Sequence, residues 1–157
     1  MSCLTTRLRL CELRYSFHPM KTSKVIQMSY VYANVDDLDG TSLVGSQQCV
    51  ALVQHYAKAP QTSKWKEGKH VMGDTSIVKG TAIATFVSGK YPNLSHGNHA
   101  ALYISQDATG IWVMDQWKGD ENKPNVSKRH LRAKGTNKKT GAYLDPSNNA
   151  DAFSVID

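Results

Sequence analysis

Between Gly45 and Pro60 the chain passes from a Gly/Ser/Gln loop, "GSQQ", into the run "CVALVQHYA". Cys49, Leu52, Val53 and Tyr56 fall at i, i+3, i+4 and i+7, one face of a helix. The Ala59-Pro60 step stops it, because proline drives the residue before it out of helical geometry. The stretch "QTSKWKEGKHVMGDTS" is polar and turn-rich, and after it the period changes. "TAIATFV" (81–87), entered through Lys79-Gly80, is β-branched and aromatic enough for a strand. "HAALYIS" (99–105) and "IWVMDQW" (111–117) are two further apolar strands, joined as a hairpin through "QDATG" with Gly110 expected in a left-handed turn. "DAFSVID" reads as a short last strand with Phe153 and Val155 on one face. A helix followed by consecutive strands predicts an α+β fold, an antiparallel sheet packed on the helix that begins at Cys49.

Composition changes the picture mainly at the N-terminus. A chain of 157 residues, 40% hydrophobic and 20% charged, fits one domain with a real core, and no run is long enough to cross a membrane as a helix. In residues 1–27, Arg7, Arg9, Glu12 and Arg14 interrupt any apolar core, which a secretory signal would need. This segment is expected to be a poorly ordered basic extension ahead of a single domain over 28–157. The reading implies synthesis in the cytoplasm without a signal peptide, and it leaves open export by another route. Cys3 and Cys11 lie in the extension, and three cysteines make no disulfide framework.

Charge adds a second question. The net charge is +6, and much of the excess lies in "KPNVSKRHLRAKGTNKK" (123–139). Such a run is either a solvated loop or a grip on a polyanion, whether nucleic acid or a carboxylate-rich wall polymer. Few aromatics lie near it, which disfavours a base-stacking platform and hence nucleic acid as the partner.

Candidate chemistry starts from Cys49. A helix N-terminus favours the thiolate, because unpaired N–H groups and the helix dipole stabilise negative charge. A lone cysteine on an apolar helix face is equally a packing residue, so a base decides between the two readings. His55 projects to another side of the same helix, His18, His70 and His130 lie in extension or loops, and of His96 and His99 only His99 begins a strand. Asp115, the one acid inside "IWVMDQW", would be costly between Met114 and Trp117 without a partner, and a histidine N–H is a suitable one. Hairpin register decides whether they meet. A five-residue "SQDAT" loop sets residues 99 and 115 opposite each other on one face. A three-residue "ATG" loop keeps them on one face but offset by about 13 Å. A two- or four-residue loop sends them to opposite faces.

Other chemistries have less support. "HGNH" offers an i, i+3 histidine pair without an evident third ligand, so neither a metal nor another cofactor is expected. The chain has no G-x-S-x-G elbow, phosphate-binding glycine loop or dinucleotide fingerprint. "DDLD" (36–39) reads as a capping or turn cluster.

The ordered set "GSQQCVALVQHYA", "VKGTAIATFV", "HAALYISQDATGIWVMDQW" and "NVSKRHLR" resembles the CHAP and NlpC-type cysteine peptidases and amidases of the papain-like superfamily. The resemblance runs from about Gly45 to Arg132. It implies that Cys49 is the nucleophile, His99 the base and Asp115 the orienting residue. Gln48, just before the nucleophile, would help hold the oxyanion or position substrate. Many CHAP domains carry E-Q-N where this chain has Asp115-Gln116-Trp117, so their asparagine is absent here. The implied activity is hydrolysis of peptidoglycan amide bonds through a thioester, outside the cytoplasm, in the wall or periplasm. Small members of the superfamily include toxins delivered by type VI secretion, whose producers hold an immunity protein. The competing readings are a basic binding protein for nucleic acid or wall polymer, and the same fold acting as an acyltransferase or peptidase on another substrate.

Overall fold

The computed structural model describes residues 29–157; the basic extension, with Cys3, Cys11 and His18, lies outside the described residues. One α-helix, α1 (Cys49–Tyr56), precedes six strands: β1 (Glu67–His70), β2 (Ala82–Thr85), β3 (Ala100–Asp107), β4 (Gly110–Asp115), β5 (Ser127–Arg132) and β6 (Phe153–Ile156). They form one antiparallel sheet in the order β1-β6-β2-β3-β4-β5. This is the expected α+β arrangement, with the helix laid on an antiparallel sheet. Among the described residues, no helix is long and apolar enough to cross a membrane.

Strand alternation sorts the core into two layers. Ala82, Ala84, Ala100, Leu102 and Met114 face α1 and pack on its Leu52 and Val53. Ile83, Ala101, Tyr103, Ile111, Val113, Phe153 and Val155 fill the other side. The small alanines on the first face let the helix lie close to the sheet. Helix α1 ends sooner than the Ala59-Pro60 step requires: Ala57 is its C-cap and Lys58 turns left-handed at φ 61°.

Two strands lie where the apolar pattern predicts none. β1 falls in the polar stretch after Pro60, and β5 lies inside the basic run. Both are sheet edges, and β5 fully buries only Leu131, so neither has an apolar period to detect. The acidic cluster 36–39 overlaps a 3-10 turn, Val35–Leu38, and Asp39 accepts the Lys128 backbone N–H at 3.0 Å.

The β3–β4 turn differs from the expectation. Asp107 pairs with Gly110, so the loop is only Ala108-Thr109, tied down by Thr109 N–H and Oγ1 donating to Asp107 Oδ1 at 2.7 and 2.6 Å. Gly110 is not left-handed. Its glycine is required because an added Cβ would meet the Leu131 carbonyl oxygen of β5 at 1.9 Å. A two-residue loop should have put residues 99 and 115 on opposite faces. It does not, because a bulge between Tyr103 and Ser105 leaves Ile104 without a partner and shifts the register by one. Beyond the bulge Leu102 pairs with Met114, so Asp115 continues the face of Ile111 and Val113, the face that Tyr103, Ala101 and His99 share.

Candidate active site

The end of β4 anchors both halves of the site. Its last residue, Asp115, and the next, Gln116, point to opposite faces, and both are fully buried. Gln116 reaches the loop ahead of α1. Its Oε1 accepts the Val44 N–H, and its Nε2 donates to the carbonyls of Val44 and Gln48, each at 2.9 Å. The amide is thereby satisfied on both ends, as a buried one must be. These bonds pin the chain that delivers Cys49, the first residue of α1. Gln48 is the N-cap, yet its side chain makes no capping bond. It lines the cleft instead.

Asp115 turns to the other face and meets His99. Nε2 of His99 lies 2.8 Å from Asp115 Oδ2, and both side chains are buried. The histidine backbone is clamped as well: its N–H donates to Thr85 Oγ1, and its carbonyl accepts the Thr85 N–H, both at 3.0 Å. Ring edges of Trp117 and Phe153 close around the imidazole, with centroids at 5.9 and 6.4 Å. With Nε2 on the carboxylate, Nδ1 is the ring nitrogen left for Cys49, which lies near enough for each group to shift the other's ionisation. Cys49, His99 and Asp115, which are 50 and 16 positions apart, are thus brought together.

Two further cations hold the carboxylate. Arg129 Nε donates to Oδ2 at 2.6 Å, and Lys123 Nζ lies 2.8 Å from Oδ1 but off the hydrogen-bonding direction. Lys123 is itself only 8% exposed and also contacts Ser127 Oγ. Trp117 carries both cations against its ring, at 4.4 and 4.9 Å from the centroid. Part of the basic segment is thus neither a solvated loop nor a polyanion grip. Two of its charges are spent on one buried acid.

The electrostatics follow from these contacts. Burial alone would push the Cys49 thiol up, but hydrogen bonds and charge from His99, then Tyr91 and the Ala100 N–H, bring it below its ordinary value. Burial would push His99 down, yet the hydrogen bonds to Asp115 and Cys49 and their charges raise it to about 9. For Asp115, burial is outweighed by His99, Arg129 and Lys123, which hold it at about 2. The shifts of Cys49 and His99 both favour thiolate beside imidazolium over thiol beside imidazole, and Asp115 stays a carboxylate at neutral pH. A cleft of about 510 Å³ opens over the pair, lined by Gln48, Cys49, Asn98, His99, Trp117 and Lys118 among others.

Sequence reasoning brings Cys49, His99, Asp115 and Gln48 to this cleft but misses four contributors. Gln116 carried a usable signal, a polar residue inside an apolar strand run. Lys123 and Arg129 were hidden in a charge run, and Tyr91 in a loop. The other histidine of "HGNH", His96, lines the cleft, and no group of three His, Cys, Asp or Glu residues among those described is placed to hold a metal.

Comparison with known proteins places this geometry. The sequence profile of the family "Domesticated amidase effector 2" matches residues 21–156. The chain is 50% identical over 133 residues to a "Type VI secretion amidase effector 2 protein" of Salmonella typhi, across 83% of this chain and all of that one. It is 37% identical over 118 residues to a "Domesticated amidase effector 2" of the tick Ixodes scapularis, covering 73% of each. A solved structure titled "Type 6 secretion amidase effector 2 (Tae2)" superposes with a TM-score of 0.77 at 50% identity, covering 82% of this chain and 94% of that one. A helix opening on a cysteine and a sheet bringing histidine and aspartate to it are therefore set in the frame of the domesticated amidase effector 2 family, to which this chain belongs.

Proposed function

We propose that this protein is a cysteine-dependent amidase that hydrolyses amide bonds in the peptide stems of peptidoglycan through a thioester intermediate. The observation that carries the reading is Cys49 at an open cleft beside the buried His99–Asp115 pair, in a chain whose relatives are named amidase effectors.

The Cys49 thiolate attacks the amide carbonyl carbon. A carbon–sulfur bond forms while the carbonyl electrons move to oxygen. Gln48 makes no side-chain capping bond and the Ala51 N–H is taken by the Gln48 carbonyl, so the N–H groups of Cys49 and Val50 are the ones placed to receive that oxyanion. The proton on His99 Nδ1 passes to the leaving nitrogen, and the carbon–nitrogen bond breaks to release the amine and leave a thioester. The imidazole, now neutral, takes a proton from water as the water attacks the thioester. Collapse releases the carboxylic acid and restores thiolate and imidazolium. Asp115 keeps the ring oriented and supports its positive form throughout. Gln48, on the cleft wall beside the sulfur, is placed to position the substrate.

The name of the Salmonella relative supports delivery by type VI secretion, and that delivery would go with action in the periplasm of a target cell and an immunity protein in the producer. A purely basic binding protein is the weaker reading, since Lys123 and Arg129 are engaged by Asp115. Cys49→Ala tests the proposal: purified sacculi should go undigested by a variant with the parent's melting temperature, and mass spectrometry of parent digests should show new amine and carboxyl termini. Digestion at the parental rate by the variant rules out the nucleophile.

A further inference from the structure

The mechanism leaves one neighbour of the sulfur without a part. Tyr91 is 8% exposed, packed edge-on against Trp65 with ring centroids at 5.0 Å, and its Oη lies 3.7 Å from Cys49 Sγ. Its surroundings fix which way its proton points. The Leu94 N–H donates to Asn98 Oδ1 at 2.6 Å, so the oxygen side of that amide faces the loop. The NH2 side must then face Tyr91, and Nδ2 donates to Oη at 3.2 Å. A phenol that accepts there keeps its own hydrogen for another acceptor, and the acceptor in contact is the sulfur.

We infer that Tyr91 activates the nucleophile: its O–H donates to the Cys49 thiolate in a directed chain from Asn98 through Tyr91 to the sulfur. The inference rests on the reading of Cys49 as nucleophile. Tyr91 does not border the cleft that Cys49 and Asn98 line. Its bond therefore approaches the sulfur from the buried side and acts before substrate arrives, on the fraction of thiol that is ionised. A phenol suits that place better than a second cation, because it donates without adding charge and leaves the imidazolium's proton to the leaving group. It also stays a donor: burial and the adjacent thiolate push its own ionisation far up. Tyr91, Leu94 and Asn98 all lie on the loop that ends at His99, so one segment sets both the base and the donor.

Two variants of the full chain test this, read by the pH dependence of iodoacetamide alkylation at the Cys49 peptide, followed by mass spectrometry because Cys3 and Cys11 also react. Tyr91→Phe keeps the ring and its contact with Trp65. Its alkylation midpoint should rise by about one unit, a roughly tenfold loss of thiolate below the midpoint, with the parental rate recovered above it. Asn98→Asp turns the amide donor into an acceptor that draws the phenol proton away, and its midpoint should rise as well. An alkylation profile of Tyr91→Phe that superimposes on the parent's overturns the inference. So does a rate that stays depressed at every pH, which marks lost packing instead. An inactive Cys49→Ala with an unshifted Tyr91→Phe leaves the amidase reading standing and removes only this one. An active Cys49→Ala removes both.

Discussion

The β3–β4–β5 ribbon carries a histidine–aspartate pair at each end, and only one of them has a thiol beside it. At the turn end His130 Nε2 lies 3.3 Å from Asp107 Oδ2, with the acid 47% exposed and its other oxygen taken by Thr109. His130 rests on Trp112, ring centroids at 4.8 Å, and neither partner touches a thiol. At the other end the same two residue types sit 2.8 Å apart, both buried, with two cations behind the acid and a sulfur beside the ring. Proximity of imidazole and carboxylate is thus common to both pairs. What differs is burial, which lets each partner shift the other's ionisation, and a thiol beside one of the rings.

The largest break in that contrast should come from Asp115→Asn. The amide no longer stabilises imidazolium, and Lys123 and Arg129 face it unpaired. Turnover should fall by about 100-fold or more. Stability should drop by about 3 kcal/mol, the lower end for a broken buried ion pair because Arg129 is 24% exposed and can regain water. Sacculus digestion rates and urea melts measure the two effects separately. Near-parental turnover would reduce Asp115 to a packing role and erase the difference between the two pairs.

A subtler change comes from Lys123→Met, whose side chain pairs with Asp115 and not with His99. Around the imidazole stand Asp115 and the Cys49 thiolate, which favour its proton, and Arg129 and Lys123, which oppose it. In the parent the high-pH limb of kcat/KM should fall near pH 9, where His99 loses its proton. Without Lys123 that limb should move up, while kcat/KM at neutral pH changes less than about tenfold and KM holds. Stability has the matching signs. His99 contributes fully below the ordinary imidazole value, and its share is lost as pH rises through about 9. Asp115 contributes above the ordinary carboxylate value and loses its share as pH falls toward about 2. Lys123→Met should start that acid loss at a higher pH. A high-pH limb that stays or moves down would show that the charge of Lys123 is not felt at His99.

These effects also explain what could be read in the chain beforehand. Helix α1 and strands β2, β3, β4 and β6 were legible because each has an apolar period or a buried run. β1 and β5 were not, since edge strands expose charge on the side that periodicity would have used. The meeting of His99 and Asp115 depended on the bulge at Ile104, a backbone choice with no residue signature. Parity from the two-residue turn alone gives the wrong face. Lys123 and Arg129 looked like their solvated neighbours, because a run of like charges does not reveal which members turn inward until their acid is located. Gln116 was the avoidable omission: a glutamine between Asp115 and Trp117 in a buried strand must find partners, and the nearest unpaired backbone is the loop before α1.

The smallest expected effect belongs to the turn end, and it sharpens the contrast by its absence. His130→Gln removes a ring that lies over Trp112 and a contact to a half-exposed acid, neither of which reaches the cleft. Asp107 keeps its bonds from Thr109, the main reason its carboxyl is held below the usual range, and β5 keeps its ladder to β4. Stability should change by no more than about 0.5 kcal/mol, and digestion of sacculi by less than twofold. A tenfold loss of kcat/KM at an unchanged melting temperature would mean that the turn end takes part in binding the polymer. The two His–Asp pairs would then differ in task and not in whether they have one. The burial of Asp115 against the exposure of Asp107 argues for the first outcome, because a carboxylate in water already has its hydrogen bonds and gains little from an imidazole beside it.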